Sequence, residues 1–338
     1  MAKNHDWKVY YSGGFYDHNK WERAGKEIYV GKQFVWDEEI WHIPAVYSCA
    51  AGLVVDFCIR IEPEQVRSFA EKWDLLLDPS GDHLTDEQRE RADFENPLRN
   101  DFSCDILLNG KILQMNRGTG KGYIPGMTEV TNDPDAEKIL EHYGLDPEKA
   151  WSIHRVCFPW ATKSKPQIKS LRLTLKQDPV PLSSARFKTP KIGEKITFIH
   201  PISGAEYALT AEDVSYEELN FSFDENKELD CPTHYTQISY RLSPNLSNVD
   251  FQLRDCKKGD IPRIKAENLG AIGSVDSSSS IGIIGGADGP TTVFLIPNSP
   301  REDIKIACSS LYFEPKFDTE WRGIFNVVTR EDISVEVL

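Results

Sequence analysis

Apolar and polar residues alternate with a period of two over much of the first sixty positions. Trp7, Val9 and Tyr11 alternate, then Ile28 and Val30, then Phe34 and Trp36, and residues 54–61 form a nearly continuous apolar run, VVDFCIRI. A period of two places alternate side chains on opposite faces of a strand, so this part predicts strands up to residue 61. The period then changes. Pro63 stands where the first turn of a helix tolerates proline, and Val66, Phe69, Ala70, Trp73, Leu76 and Leu77 follow at helical spacing, which predicts a helix near 63–77. Thr85-Asp86-Glu87-Gln88 is a capping box opening a polar helix near 85–95, before Pro97. Asp133-Pro134 opens a third helix over 134–143, with Ala136, Ile139, Leu140 and Tyr143 on one face and Gly144 as its stop. Asp146-Pro147 signals a short fourth.

Between the second and third helices, Ile106–Met115 predicts a hairpin turning at Asn109-Gly110, a pair that accepts the positive φ angles of a tight turn. It runs into the glycine-rich, basic stretch Arg117-Gly118-Thr119-Gly120-Lys121-Gly122, expected to be a loop. Such residues suit a phosphate or carboxylate. However, Pro125 and Gly126 follow, not the helix whose N-terminus such a site uses. Ser152–Phe158 and Leu171–Leu175 predict strands. The polar, proline-containing segment Gln177–Ser184 is the expected linker.

Beyond it the pattern is almost all β: Lys195–Ile199 paired with Ala205–Leu209 across Pro201–Gly204, then Tyr235–Leu242, Val249–Leu253, Ile304–Phe313, Gly323–Val328 and Ile333–Leu338. Short strands with turn signals about every ten residues point to an antiparallel sandwich. The expected class is therefore α+β and β-rich. A mixed α+β domain spans 1–180, and an antiparallel, sandwich-like β domain spans 185–338.

One stretch of the second half carries candidate chemistry. Ser280–Pro297 reads SIGIIGGADGPTTVFLIP: an apolar run, six turn residues (Gly285–Pro290), and a second run of strong β propensity. Gly285 and Gly286 free the backbone to take positive φ, and Asp288-Gly289-Pro290 is a turn signature. Successive glycine N–H groups can form an anion-binding nest, while Asp288, the Thr291 hydroxyl and loop carbonyls can ring a hard cation. Gly285, Gly286, Asp288, Gly289 and Thr291 are therefore the candidate ligand-binding residues. A turn that only shapes the sheet uses the same residues. The segment is not a P-loop, because no Lys-Ser/Thr follows the glycines.

Residues 281–296, IGIIGGADGPTTVFLI, resemble the GGADGPT segment of the β subunit of sodium-translocating carboxylic-acid decarboxylases. Those membrane proteins couple decarboxylation of carboxybiotin to sodium export, and the aspartate of the motif is an essential intramembrane carboxylate tied to sodium binding. The resemblance would give that role to Asp288. It covers about a dozen residues. The rest of the chain resembles only uncharacterised soluble bacterial proteins. A pump subunit needs several spans of roughly 20 apolar residues. This sequence has none, its mean hydropathy is −0.45, and the motif is flanked by serines and a Pro-Asn-Ser-Pro loop.

Charge and cysteine usage narrow the classes further. With 39 Lys and Arg against 53 Asp and Glu the net charge is −14, which disfavours nucleic acid and anionic membrane surfaces as partners. The N-terminus lacks the apolar core of a signal peptide. The seven cysteines are odd in number and never spaced as CxxC, as expected of reduced thiols in a cytoplasmic protein. His154 with Cys157, and Cys231 with His234, supply ligand types for tetrahedral zinc. Residues three apart on a strand face opposite ways, so only Cys231 and His234, bent at Pro232, remain as metal candidates, and no cofactor is expected. A Cys/His nucleophile pair brought together by folding stays open, although HExxH, GxSxG and a GxGxxG before a helix are all lacking. Half of the eight tryptophans precede residue 42; such aromatics are core more often than sugar platforms.

The sequence thus points to a non-enzymatic binding or interaction module for a small ligand or a protein. The alternatives are a hydrolase- or lyase-like enzyme with an interdomain cleft, and an accessory factor of a sodium-pumping decarboxylase. A cleft gathering His, Asp and Cys would favour the enzyme, and an exposed aromatic or apolar patch the binder.

Overall fold

A computed structural model of the chain describes residues 7–15, 20–76, 78–126, 134–162, 164–219, 229–264 and 303–338. The chain is β-rich, its sheets are antiparallel, and it forms two compact units, Met1–Pro179 with Val328–Leu338 and Val180–Val327. No helix among the described residues is long and apolar enough to cross a membrane.

The first unit begins with β1 (Lys26–Trp36), β2 (Glu39–Ser48) and β3 (Gly52–Ile61), followed by α1 (Pro63–Lys72) and α2 (Asp86–Glu95). It continues through β4 (Phe102–Leu108), β5 (Lys111–Gln114), β6 (Arg117–Tyr123), α3 (Pro134–Tyr143), β7 (Ala150–Pro159) and β8 (Leu171–Gln177). One sheet has the order β1-β2-β3-β7-β6. One of its faces, including Trp41, Val55, Phe57, Ile59, Val156 and Phe158, shares a core with Phe102, Cys104, Ile106, Leu171, Leu173 and Leu175 of a second sheet containing β4, β5 and β8. Its other face is covered by α3 and by the N-terminal segment, through Trp7, Val9, Tyr11 and Phe15. Burial on both faces explains why β3 and β7 are apolar nearly throughout.

Local chemistry sets the boundaries. The Gln88 side-chain oxygen accepts from Thr85 N at 2.9 Å, and Thr85 Oγ1 accepts from Gln88 N at 3.2 Å, completing the capping box of α2. Asn109 (φ 49°) and Gly110 (φ 82°) both take positive φ and close the β4–β5 hairpin. Helix α1 stops at Lys72, short of the expected residue 77. Asp74 turns left-handed (φ 54°) and Leu75 N closes onto Ala70 O at 2.8 Å.

Three further expectations change in this unit. The alternating residues 7–11 are not a strand but a strap held by side chains and by one backbone hydrogen bond, Gly25 N to Val9 O. The expected loop 117–122 is strand β6: it pairs with β7 from Arg117↔Cys157 to Tyr123↔Trp151, and its glycines leave one face bare over His154. Asp146-Pro147 opens a turn, not a helix, with the Asp146 carboxylate accepting from Glu148 N at 2.9 Å.

The second unit comprises β9 (Val180–Lys188), β10 (Lys195–Ile199), β11 (Glu206–Glu218), β12 (Leu229–Asp230) and β13 (His234–Ser243). It continues with β14 (Phe251–Asp255), β15 (Arg263–Ile264), β16 (Lys305–Cys308) and β17 (Glu320–Val327). They form a sheet β10-β11-β13-β16, a sheet β14-β17-β9 and a ribbon β12-β15. Phe198 of the first sheet meets Phe187 and Phe251 of the second at ring distances of 5.7 and 5.3 Å, and Phe325 lies 4.8 Å from Phe251.

The expected linker Gln177–Ser184 is mostly strand, with only Asp178-Pro179 between β8 and β9. β9 is an edge strand, where Pro181 costs no ladder hydrogen bond on its open side. Of the predicted strand 304–313, only 305–308 forms. The last strand, β18 (Ile333–Glu336), does not join the second unit. It pairs with β8 from Ile333↔Leu175 to Glu336↔Arg172 and completes the sheet β18-β8-β4-β5. The whole second unit is therefore inserted between two neighbouring strands of the first. At its mouth Val180 pairs with Val327, and the Gln177 side-chain oxygen accepts from Thr329 N and Arg330 N at 2.7 and 2.8 Å.

Candidate functional site

The motif residues Gly285, Gly286, Asp288, Gly289 and Thr291 lie outside the described residues, in the stretch between Ile264 and Asp303. Before that stretch, the chain builds a recess in the second unit. Asp260 N donates to Leu311 O at 2.9 Å, and the Asp260 carboxylate accepts from Phe313 N at 2.8 Å, tying residues 259–263 to the segment after β16. Gly259 permits this approach, since a Cβ there would stand 2.5 Å from Leu311 O. The Arg263 guanidinium lies 4.0 Å from the centre of the Phe313 ring and 3.0 Å from Asp230. Asp260, Ile261, Arg263, Phe313, Glu314 and Lys316 line an open recess of about 420 Å³. Thr236 Oγ1 donates to Lys316 O at 2.8 Å and fixes the far wall. The adjoining Phe317 ring is 65% exposed and packs edge-on against Tyr216, also exposed, at 4.7 Å.

His234 borders the same segment, its N donating to Tyr312 O at 2.9 Å. Its ring meets Thr233 Oγ1 at 3.4 Å and lies 3.9 Å from the Glu218 carboxylate, while Cys231 is a part-buried free thiol. Among the described residues, no three His, Cys, Asp or Glu side chains gather as a metal set. His154 and Cys157 belong to the other unit, on β7.

The first unit holds a buried polar chain that sequence reasoning missed. Asp56 and Arg155 sit opposite each other on β3 and β7, on the face beneath the strap. Arg155 Nε and Nη2 donate to the two Asp56 oxygens at 2.8 and 2.7 Å, and Nη1 donates to Gly14 O at 2.8 Å. Trp7 Nε1 donates to Tyr47 OH (2.9 Å), Tyr47 OH meets Tyr143 OH (2.6 Å), and Tyr143 OH donates to Asp56 (2.6 Å). Burial, reinforced by the Asp56 charge, pushes both tyrosines well above their ordinary range. The Phe15 ring lies 4.4 Å over the guanidinium. Both carboxylate oxygens and all three guanidinium nitrogens are engaged, so the pair pins residues 7–15 and presents nothing to a substrate. The one legible signal was a lone carboxylate inside an apolar run.

Four thiols, Cys49, Cys58, Cys104 and Cys157, are buried as well, while Cys231, Cys256 and Cys308 are part-buried. Burial raises Cys49 and Cys308 to about 11, Cys58 and Cys104 further, and Cys157 and Cys256 in the same direction, so the thiolate nucleophile is disfavoured. No protein family, curated protein or solved structure matches the chain.

His154 is held neutral. Ser152 Oγ donates to Leu98 O at 2.8 Å, so His154 Nε2–H donates to Ser152 Oγ at 2.9 Å. Burial lowers its pKa to about 4, against a smaller opposing pull from Asp101. The unfolded imidazole titrates near 6.5, so the folded chain binds fewer protons between these values. The stabilisation is complete above about pH 6.5 and is lost as pH falls towards 4, by on the order of 2–3 kcal/mol. His154→Gln should flatten that part of the stability–pH curve in urea titrations. An unchanged acid loss in the variant would assign it to other groups.

Proposed function

We propose that the protein is a non-enzymatic binding module that takes its ligand in the Asp260–Lys316 recess and works in a reducing compartment. One observation supports this above the rest. The Asp56–Arg155–Tyr143–Tyr47 chain of the first unit is buried and hydrogen-bonded within itself, and the four thiols of that unit are buried. The recess, in contrast, opens two carboxylates, two cations and an aromatic ring to solvent, beside the exposed Tyr216–Phe317 pair. That lining suits a small ligand carrying both charges, or the same chemistry on a protein. The seven free thiols support the compartment. The decarboxylase link rests on the GGADGPT letters, with Asp288 as its carboxylate, and no feature of the recess adds to it.

A thermal-shift series with free amino acids and short zwitterionic peptides tests the reading. A native-state ligand raises the midpoint with concentration. The rise should disappear in Arg263→Met and Phe313→Ala while both variants melt close to wild type. Turnover of any compound in a hydrolase and lyase panel, lost on substituting a buried Cys or His, would favour the enzyme reading instead.

A further inference from the structure

Two histidines of the chain stand in opposite hydrogen-bonding surroundings. His200 Nδ1 faces two backbone donors, Ile202 N and Ser203 N, both at 3.2 Å. A ring nitrogen that accepts carries no proton, so this imidazole is neutral. His83, in the connection between α1 and α2, faces acceptors instead. Its Nδ1 lies 3.1 Å from the Asp78 carboxylate, and its Nε2 lies 3.1 Å from Trp73 O, at the residue that caps the end of α1. A neutral imidazole has one N–H and one lone pair, so it satisfies one of these acceptors and turns a lone pair on the other. The imidazolium donates to both, and its charge suits the C-terminal end of a helix. The Asp78 carboxylate is itself fixed by Ser80 N and Ser80 Oγ, which donate to it at 3.2 and 2.6 Å. Close by, Asp74 takes a left-handed conformation (φ 54°), which a non-glycine residue keeps only where its surroundings hold it. Gly81 N donates to Asp78 O at 3.1 Å and Leu84 N to Gly81 O at 3.0 Å, so the backbone between Asp78 and His83 is turned beside the bridge.

We infer that His83 is a pH-operated latch on the α1–α2 connection, closed as the imidazolium that ties Asp78 to the end of α1 and opened by the loss of one proton. The charged groups around the ring agree with that direction. Asp78 and, more weakly, Asp74 favour the cation, and Asp82 precedes it in the chain. From α2, the Arg89 cation is turned onto Gly81 O at 3.2 Å, and the Glu95 carboxylate is engaged by Trp73 Nε1 at 3.2 Å and Arg91 Nε at 2.7 Å. The bond to Asp78, then that to Trp73 O, holds the His83 pKa above its ordinary value against a smaller cost of desolvation. Ser80 and His83 in turn pull Asp78 down to about 2. A group with a higher pKa folded than unfolded keeps its proton more tightly in the folded chain. The latch therefore acts in full below the unfolded value near 6.5 and is lost as pH rises through the folded value. Order in Asp78–Leu84 then reports pH on the alkaline side of an ordinary histidine. The latch lies in the first unit and shares no residue with the recess, so it stands or falls apart from the proposed function.

The test is an NMR titration of the full-length protein that follows the ring nitrogen and carbon shifts of its assigned histidines. His83 should titrate above about 6.5, with both nitrogens protonated below its midpoint, in contrast to His200. Asp78→Asn should move the His83 midpoint to lower pH, which a contact of shape alone would not do. Hydrogen exchange reads the latch itself. After correction for the intrinsic exchange rate, protection of the Gly81 and Leu84 amides should fall severalfold across the His83 titration. In His83→Gln, whose side chain does not titrate, that protection should be low and flat with pH. A His83 midpoint at or below about 6.5, or one ring nitrogen bare at every pH, would overturn the inference. So would a protection step that survives in His83→Gln. Wild-type protection that stays level through the titration would overturn it as well, leaving a charged histidine that fastens nothing.

Discussion

Arg155→Met should destabilise the first unit by about 3–5 kcal/mol, among the largest single effects expected in the chain. The substitution keeps the side chain's length and apolar stem but strands the Asp56 carboxylate, which is 0% exposed. It also removes the donor to Gly14 O, and with it one fastening of the strap. Tyr143 alone would then face the buried charge. Removing both charges is a different experiment. Asp56→Leu with Arg155→Met leaves no uncompensated ion, and apolar replacements of buried pairs are often neutral or better, so the double variant should recover most of the loss. Urea denaturation followed by tryptophan emission measures all three proteins, with Trp7 reporting directly on the strap. If Arg155→Met cost under about 1 kcal/mol, water would have to reach Asp56, and the sealed arrangement would be wrong.

Phe251→Ala should lower the stability of the second unit by a similar amount, about 3–5 kcal/mol. The ring is fully buried and has neighbours on several sides: Phe325 at 4.8 Å, Phe198 at 5.3 Å and Tyr240 at 6.5 Å. Gly323 shows how little slack surrounds it, because a Cβ there would come within 2.7 Å of the Phe198 ring and 3.0 Å of the Phe251 ring. A core so tightly matched cannot collapse into the space a benzyl group leaves, so the cavity contribution adds to the transfer contribution. Phe317→Ala provides the contrast. That ring is 65% exposed, and its loss should change the midpoint by no more than about 0.5 kcal/mol equivalent. Near-ultraviolet circular dichroism during a thermal melt separates the two. Equal effects would mean that the aromatic cluster around Phe251 is not the packing centre of its unit.

The parts legible in the sequence were those decided locally. Thr85 and Gln88 cap a helix with their own side chains, and Asn109-Gly110 turns a hairpin through its own φ angles. Neither needs a distant residue. The misread parts were decided by partners far along the chain. Arg117–Gly122 looks like a loop until β7 supplies the ladder that makes it a strand. Val180–Ser184 looks like a linker until β17 pairs with it. Trp7, Val9 and Tyr11 alternate as a strand would, yet the segment is fastened by Gly25 N on Val9 O and by the Glu22 carboxylate on Tyr11 N. The site candidates followed the same rule. Asp56 was hidden by the apolar residues around it, because its counter-ion is 99 positions away.

The pairing of β8 with β18 has a consequence for how the protein comes into being. A ribosome delivers β8 first, then all of Val180–Val327, and only then the strand that closes the edge of β8. At translation speeds of roughly 5–20 residues per second, the second unit has several seconds to fold while the first still shows an unsatisfied strand edge. That edge, with Leu171, Leu173 and Leu175 on its core face, is the nascent chain's point of exposure to aggregation and to chaperones. A premature stop within the second unit would therefore leave the earlier-made unit, not the truncated one alone, without its last strand.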